Sequence, residues 1–255
     1  MPIHDWSKVS AGTFHAFHGS WISEMQKRLN GGVLPEGFYA QAEQVAGETW
    51  PDILTLHVPP TGSEFPNSGR SAEGEGGIAV ALAPPRVALH SEAAEAAILA
   101  LRRRQLVIRH ASGDRIVAHI EIVSPGNKDR QTAVEQLVHK AVSALATGHH
   151  LLVLDIVPPT PSAPRGMHGA IWDQLGERYV PPAGKPLSLA SYVAGAPFAG
   201  STRCYVEPTS VREPLIDMPL FLDPGHYVNV PLELTYSDAY DGVPKRWRPA
   251  LEGSE

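Results

Sequence analysis

A single cysteine, Cys204, stands in 255 residues, so an internal disulfide is excluded and nothing points to an oxidising compartment. Its expected role is that of a small buried apolar side chain. Long apolar runs are lacking too. The apolar stretches are no longer than Ile78 to Ala83, against the roughly 20 residues that cross a bilayer. The opening residues, MPIHDWSKVSAGTFHAFHGSW, have no basic start followed by an apolar run, so the chain reads as cytoplasmic with no membrane partner. Basic excess is absent as well: 21 Lys and Arg against 27 Asp and Glu give a net charge of −6, which repels a polyanion on average. No Gly-x-Ser-x-Gly elbow, phosphate loop or Gly-x-Gly-x-x-Gly turn occurs, which removes sequence support for serine hydrolase, nucleotidase and dinucleotide-binding chemistry. No internal repeat is found.

What is present suits one α/β domain over residues 1–255, with a core at about 13–157 and a proline-rich extension at about 158–255 that wraps it. Phe14, Phe17, Trp21, Met25 and Leu29 recur at helical spacing and predict a helix ended by Asn30-Gly31-Gly32. Phe38 to Val45 and Asp52 to Val58 predict two strands around the Pro51 breaker. Pro59 to Gly77 predicts a surface loop. Arg86 to His90 reads as extended, Ser91 as the cap of an alanine-rich helix to Leu101, and Gln105 to His110 as a strand. Ser112-Gly113-Asp114 then turns the chain into a long strand, Arg115 to Ser124, which predicts a hairpin. Thr132 and Glu135 look like a capping box for a helix bearing Val134, Leu137, Val138, Ala141, Val142 and Leu145, and Gly148 ends it. His150 to Val157 is a buried strand, so strand, helix, strand implies a right-handed parallel crossover. Beyond it come a short helix at Ile171 to Glu177 and a strand at Thr202 to Glu207.

Several ordered phrases carry a resemblance: RHASGDRIVAHIEIVSPGNKDR, KAVSALATGHHLLVLDIVPP, HGAIWDQL, PLSLASYVAG and MPLFLDPGHYVNVPLELTY. Together with the opening HDWSKVSAGTFHAFHGSW they resemble the bacterial family labelled domain of unknown function 4058, over nearly the whole chain. More distantly, Glu121-Ile122-Val123-Ser124-Pro125 is similar to the Glu-x-Leu-Ser-Pro phrase of Uma-type endonucleases of the PD-(D/E)XK superfamily. That similarity implies a restriction-endonuclease-like mixed sheet flanked by helices, with an inserted segment and the C-terminal extension. It also implies a Mg²⁺ cofactor, nucleic acid as partner, and Asp52 and Glu121 as metal-binding carboxylates. The superfamily's lysine falls on Val123, so Lys128 or Lys140 has to supply the amine. The competing expectation is a catalytically inactive binding or scaffold module that forms a homo-oligomer.

The residues themselves bear on both readings. Strand alternation puts Val117, His119, Glu121 and Val123 on one face and Ile116, Ala118, Ile120 and Ile122 on the other, so Glu121 shares a polar strip with His119. Metal-assisted phosphodiester hydrolysis needs carboxylates converging on one cation. The plainer role for Glu121 is a rim carboxylate, for Asp52 a turn former, and for Lys140 a solvent-facing lysine. Asn127 and Lys128 lie just past the Ser-Pro turn, where turn chemistry alone accounts for the asparagine. Asp155, inside an apolar strand, must find a partner or cost several kcal/mol of desolvation. His15 and His18 share a helix face that with His4 or Asp5 would suit zinc, although no cysteine cluster accompanies them. Arg102, Arg103, Arg104, Arg109 and Arg115 form the one basic concentration.

Overall fold

The computed structural model describes residues 1–43, 53–58, 87–93, 115–196 and 201–253. Helix α1 (Ala11–Arg28) starts where the Ser10 side chain accepts the Thr13 N–H. Its stripe of Phe14, Phe17, Trp21 and Met25 is buried, as the spacing predicts, and Leu29 continues it into a short π-turn. The turn needs φ +129° at Gly32, which an L side chain rarely adopts.

Strands β1 (Tyr39–Glu43), β2 (Ile53–Val58), β3 (Leu89–Ala93) and β4 (Arg115–Ile122) come next, then helix α2 (Gln131–Ala146) and strand β5 (His150–Asp155). Helix α3 (Gly166–Gln174) precedes β6 (Leu187–Val193) and β7 (Thr202–Thr209), a hairpin of β8 (Met218–Asp223) and β9 (His226–Val230), and helices α4 (Leu232–Tyr240) and α5 (Arg248–Glu252). The main sheet has seven strands in the order β1-β2-β4-β5-β6-β7-β3. Its β4–β5 pair is parallel and all its other pairs are antiparallel, which makes the molecule a mixed α/β protein.

The crossover β4–α2–β5 is the one the sequence predicts, and it aligns Glu121 with Val153 and Ile122 with Leu154. Alternation then sorts the side chains. Ala118, Ile120, Ile122, Leu152, Leu154 and Leu189 join α1, the β8–β9 hairpin and α4 in one core, while Leu151, Val153, Ala190 and Tyr192 face α2 and α3 in a second.

Three expectations are corrected. Ser91 does not cap a helix: it lies within β3, opposite Cys204 of β7 at the far edge of the sheet. The strand expected at Gln105 to His110 lies outside the described residues; β4 itself pairs with β2 and β5. Thr132 and Glu135 form no capping box, since α2 begins at Gln131 with Arg130 as an uncapped N-cap, and Glu135 instead accepts from the Gln131 amide at 3.1 Å. The C-terminal extension does not merely wrap the surface. Its strands β6 and β7 extend the sheet, and Met218, Leu220, Val228, Leu232, Tyr236 and Tyr240 are buried in the first core.

One edge of the sheet is closed by a side chain. The Asn30 carboxamide donates to the Ala40 carbonyl at 2.9 Å and accepts the Ala40 N–H at 2.7 Å, standing in for a neighbouring strand along β1. No helix among the described residues is long and apolar enough to cross a membrane.

Candidate functional site

Strand β4 delivers His119 and Glu121 to the face covered by α2, as alternation predicts. The polar strip, however, is no open cleft: Glu121 is only 3% exposed and His119 5%. Helix α2 lies over them because its apolar stripe packs on the sheet, and Lys140, on the same helix, reaches in to place Nζ 2.9 Å from Glu121 Oε2. Lys140 is thus the lysine that meets the glutamate and is not a solvent-facing one. The cleft around the pair is lined by His119, Leu137, Ala141, Leu151 and Val153, and its free space of about 10 Å³ takes about one water.

Lys128 goes elsewhere. Its side chain is fully buried, 2.7 and 2.9 Å from the two carboxylate oxygens of Asp155 and 2.6 Å from the Val157 carbonyl. Asp155 also accepts the Met167 N–H at 2.8 Å, at the start of α3. The buried charge expected on β5 therefore has its partner, and the pair ties the loop after β4, the end of β5 and the start of α3 together. Gly166 makes room for it: φ is +69°, and a Cβ there would sit 3.0 Å from Asp155 Oδ2. Gly166→Ala is expected to lower stability by about 1–2 kcal/mol through left-handed strain alone, with more from the contact, seen as an earlier urea midpoint at unchanged slope.

Asp52 lies outside the described residues. In the β2–β4 ladder the residue opposite Glu121 is Ile53. Arg102, Arg103, Arg104 and Arg109 also lie outside, and Arg115 is exposed at the start of β4. Asn127 serves the turn, its Oδ1 accepting from the N–H and the hydroxyl of Ser124 at 2.7 and 2.8 Å.

The zinc grouping is not assembled. His18 Nε2 donates to the Ile122 carbonyl at 3.2 Å, Asp5 accepts from Ser7, and His4 Nδ1 lies 2.8 Å from the Tyr236 hydroxyl. Among the described residues no group of three or more His, Cys, Asp or Glu side chains is placed to hold a metal. Mg²⁺ fares no better. It needs near-octahedral oxygen ligands and keeps several waters. Glu121 is the one carboxylate among the described residues lining the cleft, Lys140 balances its charge, and the space holds about one water. These residues as they stand do not fit Mg²⁺.

Sequence reasoning missed the partner of His119. Its Nε2 lies 3.2 Å from Nδ1 of His149, at the mouth of β5. Burial, with the Arg115 guanidinium nearby, lowers the pKa of His149 to about 4. The signal was the alternation that put His119 beside Glu121, but the second imidazole comes from a residue 30 positions later. A roomier groove of about 530 Å³ runs between α2 and α3, lined among others by Glu135, His139, Arg165 and Asp173. Arg165 is ion-paired with Asp173, which leaves no surplus positive charge for a phosphate.

Comparisons of the chain with protein-family models, with curated proteins and with solved structures find no match to any of them.

Proposed function

We propose that the chain is a nuclease-fold protein used as a binding or scaffold module, in which the acidic position of the core has been closed over. The ordered phrases given above support its placement in the family of domain of unknown function 4058. The succession α1, β1, β2, β4, α2, β5, with antiparallel, antiparallel and parallel neighbours, supports the PD-(D/E)XK-like core. The observation that carries the loss of catalysis is the state of Glu121: 3% exposed, paired with Lys140, in a cleft with space for about one water. A carboxylate so covered stabilises the packing of α2 on the sheet and has no room to gather an ion, a water nucleophile and a phosphodiester.

A second reading has its own observation. The Lys140 amine meets Glu121, as the resemblance requires of a lysine that has moved from the Val123 position, so an active Mg²⁺-dependent nuclease would use Glu121 with Asp52 as its second carboxylate.

The test is direct. With Mg²⁺ or Mn²⁺ at millimolar concentration, the expected result is no shift in melting temperature and no nicking of supercoiled DNA above a buffer control. Metal-dependent nicking abolished by both Glu121→Gln and Lys140→Met would overturn the module and install the nuclease.

A further inference from the structure

We propose that the corner around Trp247 is a docking surface for single-stranded nucleic acid. The chain carries a net charge of −6, yet cations gather here, apart from the arginines at 102–115. Lys245 and Arg246 stand exposed on the turn Lys245–Trp247, and Arg248 opens α5 directly after it. The turn Trp6–Lys8 lies against α5 and adds the exposed Lys8. At the far end of α5 the Arg212 guanidinium comes up to Gly253. Among the described residues no carboxylate is ion-paired with any of these cations. Of the acids in the same segments, Glu252 accepts from the Tyr240 hydroxyl at 3.1 Å, Asp5 accepts from Ser7, and Asp241 is exposed.

The turn is held in place, which lowers the ordering cost of binding. Arg248 donates to the Val243 carbonyl at 3.2 Å and to the Asp241 carbonyl at 2.9 Å, and its guanidinium lies 5.4 Å from the centre of the Tyr240 ring. Arg246 stacks on Trp247, 4.4 Å from the ring centre, and a stacked guanidinium keeps its edge N–H groups for an oxyanion. Trp247 is only half-buried, whereas Trp6, Trp21 and Trp172 are buried. Cations beside an accessible indole match a chain of phosphates that carries flat bases, because every base has a face to stack. An acidic peptide would leave the indole unused. An anionic membrane fits less well, since the exposed large apolar side chains among the described residues are Leu89, Val180 and Leu234, none of them in these segments. Trp6, Tyr240 and Leu251 beneath the corner belong to the first core, while Glu121 faces the second across the sheet. The surface therefore stands whatever the role of that carboxylate.

The experiment is a titration of the full chain with a labelled oligothymidylate at low salt, read by fluorescence anisotropy and by tryptophan emission. Neutralising three or four phosphates predicts that log affinity falls against log salt with a slope of about −2 to −3. Lys245→Glu combined with Arg246→Glu, at exposed positions, should weaken binding by about tenfold or more and flatten that slope by about 1–1.5 while circular dichroism stays unchanged. Trp247→Leu should weaken binding by about tenfold and abolish the quenching of tryptophan emission by the bound bases. A folding defect in Trp247→Leu leaves the charge-reversed variant as the deciding one. No binding at low salt, or an affinity that the charge reversal leaves intact, overturns the surface. Polyglutamate or phosphatidylglycerol vesicles binding as tightly, with the same sensitivity to charge reversal, overturn it as well.

Discussion

Lys128→Met is expected to lower the unfolding free energy by about 3–5 kcal/mol, because it strands the Asp155 carboxylate in the core with a single N–H donor. Both groups are out of contact with water, at 0% and 1% side-chain exposure, so solvent cannot replace the lost ammonium. Asp155→Leu should cost a similar amount from the other side, leaving an ammonium with only the Val157 carbonyl. The double variant Lys128→Met with Asp155→Leu should be more stable than either single one, since an apolar pair removes both desolvation costs. Urea unfolding of the four proteins measures the coupling. Additive single effects, with no recovery in the double variant, would show that the pair is not the unit it is described as. Part of the loss persists in the double variant, because the Met167 N–H at the start of α3 keeps no acceptor.

Acidification should unfold the protein well above the pH at which carboxylates titrate. Burial lowers His4, His149 and His150 to about 4 and His168 to about 3, from an ordinary 6.5. Geometry gives the reason in two cases. The Tyr236 hydroxyl accepts from the backbone N–H of His4 and from the indole of Trp6, so its own hydrogen points at His4 Nδ1, which must be unprotonated. His150 Nδ1 accepts the Ala194 N–H, which can only donate. His168 lies fully buried among Tyr179, Tyr192 and Trp172. Glu252 near His4 and Asp223 near His150 pull the other way without overcoming burial.

Because these folded values are depressed, the unfolded chain takes up protons first as the pH falls through 6.5. The folded protein follows only near 4 and 3, so stability is lost across that window and is fully present above it. Four protons correspond to a slope of at most about 5 kcal/mol per pH unit, which brings the transition within reach of an ordinary domain's total stability. Urea midpoints between pH 7 and 4.5 measure the slope, and His168→Gln should flatten it by about a quarter. Midpoints that do not move between pH 7 and 5 would refute the account.

Periodicity and alternation carried much of the fold on their own. The stripe from Phe14 to Leu29, the apolar face of α2 and the unbroken strand His150–Asp155 each bury what their spacing says they bury, because the three- and four-residue repeat and the two-residue repeat are properties of the backbone itself. The same alternation put Glu121 and His119 side by side. Local rules failed where strand pairing decided. Ser91 has the chemistry of a helix cap but lies in an edge strand against β7. Proline-rich phrases after Pro158 read as surface, although that segment supplies β6, β7 and half of a core.

What the amino-acid order determined by itself was which face of each element is apolar, and that Asp155, inside an apolar strand, had to find a partner. Which lysine answers which acid was decided only by the fold. Lys128 follows Glu121 by seven residues and yet pairs with Asp155, while Lys140, 19 residues after Glu121 and on α2, comes back over it. The reason is that a parallel crossover returns its helix across the strand it left, so nearness in space at this site is set by how α2 packs on the sheet and not by separation along the chain.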